Sequence, residues 1–249
     1  MKRHPVKQEA ALREQPNPKE DAMKKKVSII TFVASILISV SCFAEGNVTV
    51  TDKIAYIFSG KDSGYFYAKV ENDGDTPAGV DNGKLVLFSG NDDILVTSDY
   101  VNTYPSRVIL NPGEYTYISE FLWDSKLKNQ SIGDVKFSID MTDRGTEVER
   151  IPCEAAYEIN GSDSYDNYIH VSITNGADQA RKGYYLVAAL FDTTGNLVYV
   201  DTNQYENISL HPGSPATFSL YIDMDNINYF ESNGIQIGSV DAIVYYKTE

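Results

Sequence analysis

The chain of 249 residues holds only two cysteines, three histidines and one tryptophan. Cys42 falls in an N-terminal apolar segment, which leaves Cys153 alone in the rest of the chain. One thiol cannot form an internal disulfide, so the core must hold itself together. The neighbours of Cys153 include Pro152, Glu154 and Glu149 but no cation, so nothing there favours a reactive thiolate and Cys153 reads as a packing residue. His170 and His211 have neither a His at i+4 nor a Cys partner, so a zinc site has no spacing signature. No G-x-S-x-G elbow anchors a nucleophile triad. Basic residues are short too, 21 against 35 acidic, a formal charge of −14. The first 44 residues contain eight Lys/Arg and four Asp/Glu, leaving 13 against 31 in residues 45–249, or −18. Such a surface cannot neutralise phosphates, which argues against nucleic acid and anionic lipid as partners. No stretch of helical length carries a sustained 3.6-residue apolar stripe.

What is present at the N-terminus is an address. From Met23, three lysines (Lys24 to Lys26) precede an apolar run starting at Val27, and Cys42 and Ala44 place small residues before a cut at Glu45. That is the pattern of a secretory signal peptide over 23–44, with 1–22 a polar extension explained by a start codon set too early. Two alternatives stay open: an uncleaved run acting as a membrane anchor, or a lipidated Cys42. Each places residues 45–249 outside the cytosol, secreted or at the cell surface.

The remainder reads as two halves in the same order. At an offset of 103, Leu85–Phe88 falls on Ala188–Phe191 and Ile94-Leu95 on Leu197-Val198. Leu110-Asn-Pro-Gly113 then meets Leu210-His-Pro-Gly213, and Gly133-Asp-Val135 meets Gly238-Ser-Val240. The periodicity is two: Phe66, Ala68 and Val70 alternate with Tyr65, Tyr67 and Lys69, and Ile169, Val171 and Ile173 with Tyr168, His170 and Ser172. One apolar and one polar face are expected of antiparallel strands. Gly195, Gly113 and Gly213 suit turn positions with positive φ. Short strands between such turns predict an all-β fold of two tandem immunoglobulin-like antiparallel β-sandwich domains, 45–155 and 156–249, following the signal segment.

The stretch Val187-Ala-Ala-Leu-Phe-Asp-Thr-Thr-Gly-Asn-Leu-Val198, between Asn175 and Pro212-Gly213, resembles the FxLYD-type domain. The family's name motif falls on Ala188–Asp192, with Ala and Phe191 at its two aromatic places. Leu85–Ser89 in the first half departs further and lacks the Asp. The resemblance implies a bacterial, extracytoplasmic β-sandwich and carries no catalytic residues.

Three chemistries are open to such a sequence. Paired carboxylates acting on a glycosidic bond would make a small exported hydrolase, but the sequence nominates no pair. Asn91-Asp92-Asp93, Asp163 to Asn167 and Asp223-Met-Asp225-Asn226 are oxygen-rich segments that calcium could use, although none has EF-hand spacing and such residues are ordinary in turns, so no cofactor is assigned. Trp123, with Tyr115 and Tyr117 on the same strand, offers an aromatic platform for a sugar ring or a protein anchor. The expectation is a non-enzymatic interaction or spacer protein with a protein or cell-surface glycan as partner. The alternative is a carbohydrate- or cell-wall-binding protein, separated from the first reading by the exposure of Trp123.

Overall fold

A computed structural model describes residues 46–142 and 144–247; the expected extension 1–22 and signal segment 23–44 lie outside the described residues. The described part belongs to one compact unit, 44–249. It is all-β, built of several antiparallel sheets with one short helix among the described residues.

The first half pairs β1 (Val48–Ile57), β2 (Ser63–Asn72) and β6 (Tyr115–Trp123) in one sheet. Its second sheet joins β4 (Ile94–Val101), β3 (Ala78–Ser89), β5 (Ile109–Leu110) and β7 (Ile132–Thr142). Apolar alternation sets which sides meet: Phe66, Ala68, Val70 and Ile118 are buried, as are Leu85 and Leu87, and Phe66 meets Phe137 at 4.7 Å between ring centroids. The second half has β9 (Cys153–Glu158), β10 (Tyr168–Thr174) and β13 (Pro215–Tyr221) in one sheet. The other holds β12 (Leu197–Leu210), β11 (Arg181–Asp192), β14 (Ile237–Lys247) and β8 (Val148–Ile151). Tyr184 and Tyr205 reach Phe218 across the space between these two sheets.

Pairing places 148–158 with the second half, because β8 joins β14 and β9 joins β10. The expected boundary at 155/156 therefore falls inside β9, whose short run the alternation argument passed over. Pro152 separates β8 from β9 and lets the chain change sheets there.

One face was expected to be polar and is instead buried. Tyr56, Tyr67 and Tyr117 point away from the first half's own core, yet the second half covers them, with Tyr67 against Tyr199 and Tyr117 against Phe191. The strand that helps cover them, β11, is buried continuously from Leu186 to Leu190. An unbroken apolar run is what a strand packed on both faces requires.

The helix α1 (Met224–Ser232) was not anticipated. Its buried apolar positions are few, Ile227 and Phe230, so a stripe search misses it. Its ends are written more clearly: Asp223 accepts a hydrogen bond from Asn226 N as N-cap, and Gly234 follows with φ 66°. No helix among the described residues is long and apolar enough to cross a membrane.

Candidate functional site

Trp123 ends β6 opposite Ser63 and is 76% exposed. Phe121, two residues earlier on the same face, is 55% exposed. Tyr65 lies opposite Phe121 in the ladder, their rings edge-on at 5.3 Å, and Tyr65 in turn stacks on Tyr67 at 5.3 Å. The exposed aromatic edge is therefore Trp123 and Phe121, backed by Tyr65. Burial first, then the carboxylates of Asp223, Asp201 and Asp225, push the Tyr65 phenol up to about 12, so it stays a neutral donor.

Tyr115 and Tyr117 share that strand face but not that place. Eight residues of strand carry Tyr115 roughly 26 Å from Trp123. Both phenols donate to Asp241 Oδ2 of the second half, at 2.8 and 2.6 Å. Tyr117 is buried, and the Arg150 guanidinium bonds the carbonyl of Tyr115 and lies over its ring. They join the halves instead of forming a platform with Trp123. The period of two placed all of these residues on one face; it carries no information about which part of that face a later domain covers.

The contact between the halves continues along the same sheet. Tyr56 and Tyr67 both donate to Asn226 Oδ1, and Tyr56 stacks on Tyr229 with ring centroids 3.9 Å apart. Asn226 is buried, and its Nδ2 is taken by Asp223 Oδ2 at 2.6 Å. Asp225 pairs with Lys61, and Leu197 N donates to Asp52 Oδ2 at 2.9 Å. Thus the Asp223–Asn226 segment, one of the oxygen-rich segments, is spent on a cap and on the interface.

The other two oxygen-rich segments are turns. Ser89 Oγ accepts from Asn91 N and Asp93 N, and Asn167 Nδ2 donates to the carbonyls of Gly161 and Ser164. Among the described residues no three His, Cys, Asp or Glu side chains are grouped to hold a metal ion.

His170 sits on the open face of the β9–β10–β13 sheet. Its Nδ1 is 2.9 Å from Ser219 Oγ, and its Nε2 is 3.8 Å from Glu158 Oε2. The row has the residue types of a nucleophile relay, but 3.8 Å is too long for the orienting hydrogen bond, and the face offers no enclosure to position a substrate. A concavity of about 770 Å³ lies instead at the change of sheet beside Glu149, Cys153, Glu154 and Arg181. Glu149 is ion-paired to Arg181 there, and the Cys153 thiol donates to Ala242 O at 3.3 Å. Burial and nearby Asp241 raise the thiol above its ordinary value, which favours the unreactive protonated form.

No family model matches the chain, and no curated protein matches it. Among solved structures it is similar to a β-glucuronidase from Ruminococcus gnavus in complex with D-glucuronic acid, at 10% identity over 82% of this chain and 46% of that one, with a TM-score of 0.15. An apo structure of the β-glucuronidase matches at 11% identity over 82% and 45%, also at 0.15. The chain spans about half the length of the solved chains it matches. A TM-score this low carries no argument about activity.

Proposed function

We propose that this chain is an exported, non-enzymatic interaction protein that binds a cell-surface or cell-wall glycan through the aromatic edge at Trp123. In this reading its two halves are immunoglobulin-like sandwiches related by duplication, and a signal segment over 23–44 delivers them outside the cytosol. The observation that carries the reading is the exposure of Trp123 together with Phe121 on one strand face. A large apolar ring held in water has no packing role, whereas a sugar ring stacked on it recovers buried area and keeps its hydroxyls solvated. The charge of −18 over 45–249 suits a neutral or cationic partner. The second reading, a spacer, draws on the buried contact between the halves, which favours a fixed angle over a hinge.

The test is a pull-down of the full chain with peptidoglycan and insoluble polysaccharides, read beside Trp fluorescence with soluble oligosaccharides. Since Trp123 is the only tryptophan, any spectral change reports that edge. Saturable binding that is lost in Trp123→Ala is the expected result. Binding that survives Trp123→Ala would move the site elsewhere, and no binding to any glycan leaves the spacer role.

A further inference from the structure

A second concavity lies where the two halves meet, along the Tyr117–Glu120 stretch of β6. It encloses about 170 Å³ and is lined by Tyr100, Tyr104 and Tyr117 with Ser119 and Glu120 of the first half and Thr202 of the second. That is below the roughly 300–1,000 Å³ of sites for drug-sized ligands, so it suits a single headgroup. The walls are held from both sides. Tyr104 packs edge-on against Tyr185 at 5.5 Å and donates to Gln204 Oε1 at 3.4 Å. Tyr117 is fixed by its bond to Asp241. Tyr100, 74% exposed, stands at the mouth.

The chemistry of the lining has one sign. Glu120 is its one charged side chain, and among the described residues it accepts a single hydrogen bond, from Ser98 Oγ at 3.1 Å, and meets no cation within ion-pair distance. Burial raises the Glu120 carboxyl above its ordinary value, the Ser98 bond opposing. Asp201 beside Thr202 adds negative charge, while that of Asp241 behind Tyr117 is opposed by Arg150, whose charge also reaches the Tyr117 phenol. Lys69 and Arg150 are occupied on the Tyr115 ring, outside the lining. Tyr100 and Tyr104 beside an unpaired, partly desolvated carboxylate make a setting that attracts a cation and offers nothing to an anion.

We propose that this cleft binds a compact organic cation, an ammonium or quaternary ammonium headgroup, between Tyr100 and Tyr104 and beside Glu120. The site is independent of the aromatic edge. Its test is calorimetric titration of the full chain with choline, beside 3,3-dimethylbutan-1-ol, which has the same shape with carbon in place of the charged nitrogen. Choline should bind saturably at one site and the neutral isostere should not. Glu120→Gln keeps the shape and the Ser98 contact, and Tyr100→Ala alters only an exposed ring, so both variants should melt with the parent protein. Each should weaken choline binding by about tenfold. No saturable heat with choline, equal binding of the neutral isostere, or unchanged affinity in both variants would overturn the proposal.

Discussion

The two halves solve the same local problems with the same atoms and then part at one place. Asn72 Nδ2 donates to Thr76 O and Leu110 O, and Asn175 Nδ2 donates to Gln179 O and Leu210 O. The carbonyls of these two asparagines accept from Gly113 N and Gly213 N, each at 2.7 Å, after the two Pro-Gly turns. The hairpin that Asp192 clamps in the second half is clamped by Ser89 in the first. After the strands β6 and β13 the likeness stops. The first half takes a three-residue 3-10 turn, Ser125–Leu127, and leaves Trp123 in solvent. In the second half the nine residues of α1 carry Asn226 and Tyr229 onto Tyr56 and Tyr67. The segment that differs between the halves also helps to join them: the longer one makes a contact, and the shorter one leaves an aromatic free.

The asparagines give the largest test of the likeness. Asn72→Ala and Asn175→Ala each orphan two buried or half-buried carbonyls along with one or more backbone N–H groups, so each should cost about 3 kcal/mol in denaturant unfolding. Equal costs within about 1 kcal/mol are expected of equivalent clamps. A negligible cost at either position would break the equivalence.

Asn226 tests the difference. Asn226→Ala removes the acceptor that the Tyr56 and Tyr67 hydroxyls share, leaving Tyr56 only the Tyr67 oxygen at 3.3 Å and Tyr67 none, and should cost about 2–3 kcal/mol. Because the loss falls on the contact between halves, the single unfolding transition should separate into two, reported by different probes. A single transition merely shifted to lower denaturant would mean that the halves remain coupled without this contact.

Much of this was legible. The alternation at Phe66–Val70 and Ile169–Ile173, the positive φ of Gly113, Gly195 and Gly213, and the unbroken run Leu186–Leu190 all follow from local rules. The interface was not, because a tyrosine on the outer face of a strand reads the same in water as under a second domain. Tyr115 and Tyr117 were grouped with Trp123 for that reason, and only docking of the second half parts them. The helix hid behind its polar buried residue: Asn226 takes an interior position that a hydrophobicity pattern scores as solvent. Its Asp223 cap and Gly234 stop were the signal available. Phe121 could have been found from its i, i+2 relation to Trp123.

Acid adds a third test at the same boundary. Asp201 is held up to about 6, from 3.8, mainly by burial and further by Asp223, with the Thr202 N–H opposing. Tyr65 and Tyr199 feel its charge. The folded protein holds this proton more tightly than the unfolded chain, so the group's effect is most favourable below about pH 4. Stability should fall as pH rises from about 4 to about 6 and level off above, by about 3 kcal/mol for this one group. Glu120, raised by burial, adds in the same sense, while Asp192 and Glu231, lowered by hydrogen bonds, act oppositely as pH falls. The difference between the parent protein and Asp201→Asn isolates the term. A difference that does not change with pH between 4 and 6 would mean that Asp201 is solvated.

The smallest effect concerns the two hairpins. Gly195 N donates to Asp192 O with Gly195 at φ 90°, and Asp92 N donates to Ser89 O with Asp92 at φ 63°. One turn position thus holds a glycine in the second half and an aspartate in the first. Placing an L side chain at positive φ costs about 1 kcal/mol, so Gly195→Ala should lower stability by about that much. The reverse change is not its mirror. Asp92→Gly relieves the backbone but gives the unfolded chain extra freedom worth about 0.4–1 kcal/mol, and aspartate tolerates this region better than most residues. The two contributions nearly cancel, and Asp92→Gly should leave the unfolding midpoint within about 0.5 kcal/mol of the parent. A gain above 1 kcal/mol would reveal strain in the first hairpin that its Ser89 clamp does not relieve, and would make the second half the better-formed copy of the turn.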